Sequence, residues 1–364
     1  LSAEKLSGTA LEGQRIFTIC NSCRYCEGYC AVFPALERRT AFAPADLDYL
    51  ANLCHNCAEC FYACQYAPPH EFAVNVPKTL AEIRKLSYQH YAWPAPLAVL
   101  FRRSGLAATL ALVAALAIWL AAVNNSTAGP AQFYQVVSHA TMVAVFGFIS
   151  LFVMAALIQG CIRFWREAGR GSLDFSAIKQ ALGNGFRLTY LYGDGEGCTY
   201  PQERGSLARW WFHHLTFYGF LLCFAATSVA AIYHYVFGWR APYDYFSLPV
   251  VLGTIGGIGL LAGPTGLFWL KQRADAHTRD PQQDGLDVAF IALLFLTSAT
   301  GLVLLALRDT STMPYLLAIH LATVLALFVM LPYGKFVHGV YRLTALVRYA
   351  LERSQVKGRP PTGQ

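Results

Sequence analysis

The sequence predicts a mainly α protein in two parts: a small soluble helical domain at residues 1–95 and a six-helix transmembrane bundle at residues 96–337. Three observations carry this expectation. One four-cysteine spacing occurs twice between Cys20 and Cys64. Hydrophobic residues make up 55% of the chain and charged residues 13%, with a mean hydropathy of +0.38, values that belong to a membrane protein. Beyond Arg102-Arg103 lie six apolar segments, each close to the ~20 residues that cross a bilayer as a helix.

The amphipathic stretch Leu6 to Ile19 leads into Cys20-Asn21-Ser22-Cys23-Arg24-Tyr25-Cys26-Glu27-Gly28-Tyr29-Cys30. The run returns as Cys54-His55-Asn56-Cys57-Ala58-Glu59-Cys60-Phe61-Tyr62-Ala63-Cys64. Both read C-x2-C-x2-C-x3-C, which folds three thiolates around one corner of an iron–sulfur cube; in two-cluster ferredoxins the fourth cysteine ligates the other cluster. The spacing therefore assigns one [4Fe–4S] cluster to Cys20, Cys23, Cys26 and Cys64, and a second to Cys54, Cys57, Cys60 and Cys30, in a ferredoxin-like or α-helical domain. A zinc site takes two close pairs rather than two tandem quartets. Disulfides need an oxidising compartment, and no secretory signal precedes these cysteines. Proline does not follow the fourth cysteine directly; Pro34 and Pro68 each come four residues later. Of eleven cysteines, only Cys161, Cys198 and Cys223 lie outside the two runs. His55 and His70, close to the runs, are placed to tune the clusters through hydrogen bonds or charge.

Between the runs a loop from Pro34 precedes a helix expected around Ala45–Leu53. Ala67-Pro68-Pro69-His70-Glu71 is a break, followed by a polar helix from Pro77 to about Tyr88 and a hinge at Tyr91-Ala92-Trp93-Pro94-Ala95-Pro96. The spans are expected at 105–123, 136–158, 211–236, 248–270, 286–307 and 314–334. The segments 159–210, 271–285 and 335–364 together carry sixteen Lys and Arg, whereas the opposite loops hold only Arg240 and Arg308. That bias places both termini, the loop 159–210 and the tail 338–364 on the cytoplasmic side of a multi-pass protein of the bacterial inner membrane. Six of the seven Trp sit near segment ends, as interfacial aromatics do. The net charge of +7 is accordingly a topology signal and leaves no basic patch for nucleic acid.

Ionisable side chains inside spans are costly and mark function, and histidine is a usual axial ligand to haem iron. His320 and His338 are 18 residues apart, five turns of one continuous helix, and would point from one face about 27 Å apart along the axis. The third span opens with His213-His214 and closes with Tyr233-His234-Tyr235, and His139 starts the second. Depth pairs His213 or His214 with His338 near the cytoplasmic side, and His234 or His139 with His320 near the periplasmic side. The plainer reading of any one of them is a hydrogen-bonded interfacial histidine. His90 and His277 read as surface residues. No catalytic dyad or triad is visible, so the chain is not read as a bond-making enzyme. Asp194, Glu196 and Glu203, around the Gly193-Asp194-Gly195-Glu196-Gly197-Cys198 stretch, are read as part of a docking loop rather than an acid–base site.

The stretch Ile319-His320-Leu321 through Leu331-Pro332-Tyr333-Gly334-Lys335-Phe336-Val337-His338 resembles the last helix of the cytochrome b subunit of respiratory nitrate reductase. That resemblance implies two b haems ligated by these two histidines. In that family the partner histidines stand ten residues apart, and here Cys223 and Phe224 occupy the second position. Three blocks, Ile19 to Cys30, Cys64-Gln65-Tyr66-Ala67-Pro68-Pro69-His70-Glu71-Phe72 and His213-His214-Leu215-Thr216-Phe217-Tyr218-Gly219-Phe220, resemble the tricarballylate/citrate utilisation protein B family over nearly the whole chain. This second resemblance implies a membrane electron-transfer protein with two [4Fe–4S] clusters and haem b. It would reoxidise the reduced flavin of a partner dehydrogenase of the tricarballylate type and pass electrons to membrane quinone. The chain carries no dinucleotide fingerprint of its own, so the flavin belongs to the partner flavoprotein. Alternatives are a quinol-oxidising subunit feeding a cytoplasmic reductase, and a non-enzymatic redox sensor. A transporter would need broken helices in corresponding halves, whereas Gly256-Gly257 and Gly263-Pro264 lie in one span.

Overall fold

The computed structural model describes residues 3–123, 132–169, 173–192 and 205–357, which are helical without any strand among them. The Gly193–Cys198 stretch and Glu203 lie outside those residues. Five short or medium helices build the N-terminal domain: α1 (Ala3–Cys23), α2 (Val32–Leu36), α3 (Pro44–Leu53), α4 (Glu59–Tyr62) and α5 (Val76–Tyr91). The domain is helical throughout its regular structure, as expected. Proline opens α3 and stands in the first turn of α5, where its missing N–H is one of the helix's unpaired donors anyway. The Asn75 side chain caps α5 by accepting from the Lys78 N–H.

The membrane part follows as α6 (Ala95–Val123), the short α7 (Phe133–Val136), α8 (His139–Ala168), α9 (Phe175–Phe186), α10 (Ala208–Phe237), α11 (Leu248–Arg273), α12 (Pro281–Leu307) and α13 (Met313–Met330). Among the described residues α8, α10, α11, α12 from Gln283 and α13 are each long and apolar enough to cross a membrane, and α6 contributes the apolar Thr109–Ile118. Five helices meeting that criterion are roughly consistent with the six expected spans. The last helix, α14 (Val337–Lys357), is amphipathic.

The sixth span and α14 are two helices, not one. The expectation of a continuous helix carrying His320 and His338 on a single face is corrected here. Pro332 has no N–H for the helical ladder and crowds the preceding turn, so the chain leaves the helix after Met330. The N–H groups of Tyr333 and Gly334 both turn back to the Met330 carbonyl, at 3.1 and 2.7 Å. At Gly334 a Cβ would come within 2.9 Å of that same oxygen, so the tight turn needs glycine.

That break redirects α14 away from the bundle and into the N-terminal domain. One hydrophobic core contains Ile16 and Phe17 of α1, Leu47 and Leu50 of α3, and Leu80 of α5. The same core takes in Phe164 and Ala168 of α8, Ala177 and Ala181 of α9, and Val337, Tyr341 and Ala345 of α14. The last three recur every four residues, the stripe by which an amphipathic helix buries one face. The segment expected as a tail is therefore, through Lys357, a wall of the soluble domain. Charge fastens it: Arg39 and Arg348 both reach Asp46 and Glu352, and both guanidiniums stack on the Tyr49 ring.

Inside the bundle, α10 and α11 approach at a seam of small residues. A Cβ on Gly219 would stand 2.9 Å from the Gly256 carbonyl oxygen, and one on Gly263 would stand 2.8 Å from that of Phe212. Glycines at such crossings let two backbones come close in lipid, which accounts for the glycines of this span without invoking a transport path. At the end of the bundle nearest the soluble domain, Lys271 bridges Asp284 and Asp287 at 2.6 and 2.9 Å, and Lys335 reaches Asp287 at 2.8 Å. Lys85 of α5 pairs with Asp280 there, and Asn75 donates to the His277 carbonyl at 2.8 Å. These contacts seat the soluble domain directly on the bundle.

Candidate redox centres

The two cysteine runs share one backbone feature, at the residue after the second cysteine. Cys20 and Cys23 occupy the last turn of α1, and the Arg24 N–H closes it on the Cys20 carbonyl at 2.8 Å. Arg24 then adopts a left-handed conformation (φ 55°), and its counterpart in the second run, Ala58, does the same (φ 64°). For residues with a Cβ this costs on the order of 1 kcal/mol. Each is the residue after the second cysteine, where the chain must reverse to bring the third thiol beside the first two. Asn56 (φ 55°) adds a further left-handed residue in the second loop.

Eight thiols sort into two cavities. Cys30, Cys54, Cys57 and Cys60 line the inner one, with His55 and Leu80 on its walls. Cys20, Cys23, Cys26 and Cys64 line the outer one, which Cys60 also borders. The fourth cysteine of each run thus stands with the other run's trio. Among the described residues no three His, Cys, Asp or Glu side chains converge on a single ion position. Burial first, then the neighbouring thiols, push Cys20 and Cys26 up to about 12 and hold Cys30 and Cys60 well above the ordinary thiol range. Four thiols packed this way become thiolates together only against concentrated positive charge, which iron supplies. The donor set fits iron–sulfur clusters. The Asn56 N–H points at the Cys54 sulfur at 3.2 Å, a contact of the kind that tunes cluster potential.

The structure also sorts the histidines. The His213 ring on α10 faces the His338 ring on α14, centroids 6.1 Å apart. Two imidazoles on opposite sides of one metal, each with a bond of about 2 Å, stand roughly 6 Å apart centroid to centroid. His338 Nδ1 lies 2.5 Å from the Lys335 carbonyl oxygen, which only accepts, so Nδ1 carries the proton and Nε2 keeps its lone pair. His213 Nδ1 is buried with no hydrogen-bond partner. His214 turns away: its Nδ1 meets the Trp210 carbonyl at 2.9 Å, and its ring packs on Trp210 and Tyr218.

His320 on α13 faces α12. Its Nδ1 is 3.1 Å from the Thr300 hydroxyl, whose own proton goes to the Leu296 carbonyl at 2.7 Å, so Nδ1 again donates and Nε2 keeps its lone pair. Gly301 makes room, since a Cβ there would stand 2.9 Å from His320 Cε1. His139 and His234 are brought to each other rather than to His320: their rings stack 3.8 Å apart and 14° from parallel, beside Tyr134. Stacked face to face, they do not present two lone pairs across a shared iron. His90 pairs with Glu167 and His277 with Asp275, as surface histidines do.

With this geometry in view, comparison with known proteins is decisive. The pattern of the family described as Citrate utilization protein B matches residues 95–359, and that of the Citrate utilization protein B Fer4-like domain matches residues 13–90. The chain belongs to the citrate utilization protein B family. Citrate utilization protein B of Escherichia coli is 50% identical over 364 residues, covering 98% of this chain and 96% of that one. No solved structure matches. The family's two parts meet where α5 ends at Tyr91 and α6 begins at Ala95.

Sequence reasoning missed three members of the site, the arginines on the inner loop. Arg342 donates to the Cys54 carbonyl and contacts His55 Nδ1. Arg84 donates to the Cys54 carbonyl at 2.5 Å, and Arg209 to that of Asn56 at 2.6 Å. They come from α5, α10 and α14, far apart in sequence, and no local pattern announces that they meet. Phase alone gave a hint: Arg342 lies one turn beyond His338, and Arg209 one turn before His213.

Proposed function

We propose that this chain is a membrane electron-transfer protein that reoxidises the reduced flavin of a partner dehydrogenase. Electrons pass through two [4Fe–4S] clusters and haem b to membrane quinone. The supporting observation is the sorting of eight cysteines into two adjoining cavities, each completed by the other run's fourth thiol. The relative's name points to citrate, and the family resemblance points to tricarballylate, as the substrate area of the partner. The soluble domain faces the cytoplasm in this reading, where flavoprotein and iron–sulfur assembly are found.

His213 and His338 are the ligands assigned to a first haem beside the soluble domain, and His320 is the assigned ligand of a second. Haem b, when bound, supplies a one-electron couple that links single-electron clusters to a two-electron quinone. The residues hold and orient: the Lys335 carbonyl and the Thr300 hydroxyl take the Nδ1 protons, so that Nε2 keeps its lone pair. Lipid-facing helices exclude water. The inner cysteine cavity shares Cys60 with the outer one, and its loop is bonded by Arg209 of α10 and Arg342 of α14, the helices that carry His213 and His338.

The test is analytical and functional. Purified protein should carry close to eight iron and eight sulfide in clusters, with additional low-spin haem. Reduced flavoprotein should then reduce a quinone analogue only when this chain is present. Four irons, zinc in their place, or flavin oxidation with clusters destroyed would sink the reading.

A further inference from the structure

The two cysteine cavities differ in their surrounding charge. Three guanidiniums grip the inner loop: Arg342 at the Cys54 carbonyl, at His55 Nδ1 and at the Asn52 carbonyl (3.4 Å), Arg84 at the carbonyls of Cys54 and Ala51 (2.5 and 3.4 Å), and Arg209 at that of Asn56 (2.6 Å). Arg84 is 4% exposed, so its charge is poorly screened. The acidic side chain lining this cavity is Glu59. On the outer loop the arginine present is Arg24, exposed and bonded to the Asn21 carbonyl at 3.2 Å.

Reducing a [4Fe–4S] centre adds one negative charge. Burial alone opposes that step, and nearby positive charge favours it, most strongly where the dielectric is low. The inner centre is the more buried, with Cys54 8% exposed. Without the arginines it would be the harder of the two to reduce. The arginines act in the opposite direction.

We propose that Arg342 sets the potential of the inner centre: together with Arg84 and Arg209 it makes the cluster on Cys30, Cys54, Cys57 and Cys60 the electron acceptor of the pair. This rests on the reading that both cysteine sets carry clusters. The cluster on Cys20, Cys23, Cys26 and Cys64 gives up one electron and is oxidised, the inner one takes it and is reduced, and no proton moves. The outer cluster is refilled by the partner's reduced flavin. Arg342 also joins the Cys54 carbonyl by a hydrogen bond to the helix that carries His338, one turn away, so the residue that raises the potential lies on the way into the membrane.

The experiment is a redox titration followed by electron paramagnetic resonance on the full-length, cluster-loaded protein in detergent. Cys57→Ser first identifies which spectrum is the inner one. In Arg342→Gln that cluster should become at least tenfold harder to reduce at a fixed potential, a fall of about 59 mV or more for one electron. The outer cluster should keep its midpoint, and Arg342→Lys should recover most of the loss. Unchanged midpoints, or an equal shift in both clusters, overturn the proposal. Should Arg342→Gln lose iron, Arg209→Gln is read the same way, with the same direction required. Wild-type protein without two clusters would instead refute the underlying reading, before any arginine is at issue.

Discussion

Three imidazoles at the bundle, those of His214, His320 and His338, are fixed through Nδ1 to an oxygen. His214 spends its ring face on Trp210, and His213 looks across to His338. Replacing His213 by Ala should therefore remove the same low-spin haem signal that His338→Ala removes, while His214→Ala should keep it; visible spectra of the three purified variants decide. The sequence left His213 and His214 open because neighbours on a helix differ by only 100° in direction, and what settles it is the position of α14 after the break. At the other end of the polarity scale sits Asp48, where burial pushes the carboxyl up to about 6 although Tyr91 donates to it at 2.9 Å. A raised carboxylate stabilises the fold while protonated; that contribution is complete below the ordinary range near 4 and is lost as pH climbs through about 6. Asp48→Asn should thus be more stable than wild type at pH 7.5 by on the order of 1–2 kcal/mol, with the gap closing near pH 4. Thermal unfolding in detergent at the two pH values measures it.

At the scale of elements, the α10–α11 seam depends on absent side chains. Gly263→Leu would force a branched side chain against the Phe212 carbonyl and the Thr216 hydroxyl, 2.4 Å from its Cβ alone. Overpacking of this kind costs about 1–3 kcal/mol or more, and here it should also push α10, with His213, away from α14. The expected outcome is a protein that still reaches the membrane with its clusters but loses haem absorbance; unchanged haem content would show that the seam does not position His213. The apolar helices and the two cysteine runs were legible because each is written in a local spacing. The break after Met330 was signalled by Pro332 and Gly334, but the apolar run through Leu331 and Tyr333 reads equally as a longer span. Arg342, by contrast, carries no local signal: its role depends on α14 folding back across 288 residues of chain to meet Cys54.

For the whole molecule, the soluble domain is not the first 95 residues by themselves. Phe164, Ala168, Ala177, Ala181, Tyr341 and Ala345 complete its core, and Arg348 and Glu352 complete its charge network. A fragment of residues 1–95 would expose the apolar faces of α3 and α5 that those residues cover, and it should aggregate or fail to retain iron. Adding a separately expressed peptide of residues 337–357 should recover little, because α8 and α9 are still missing. Cluster content after anaerobic reconstitution measures this, and a soluble fragment carrying eight irons would contradict the shared core.

The same shared core bears on how the protein is made. Domains usually fold as they leave the ribosome, N-terminal first, but here the first helices wait for α14 while the apolar helices between are made. At roughly 5–20 residues per second, the cysteine loops spend tens of seconds unburied. The core around the cysteine loops thus closes only after the last helix has been made.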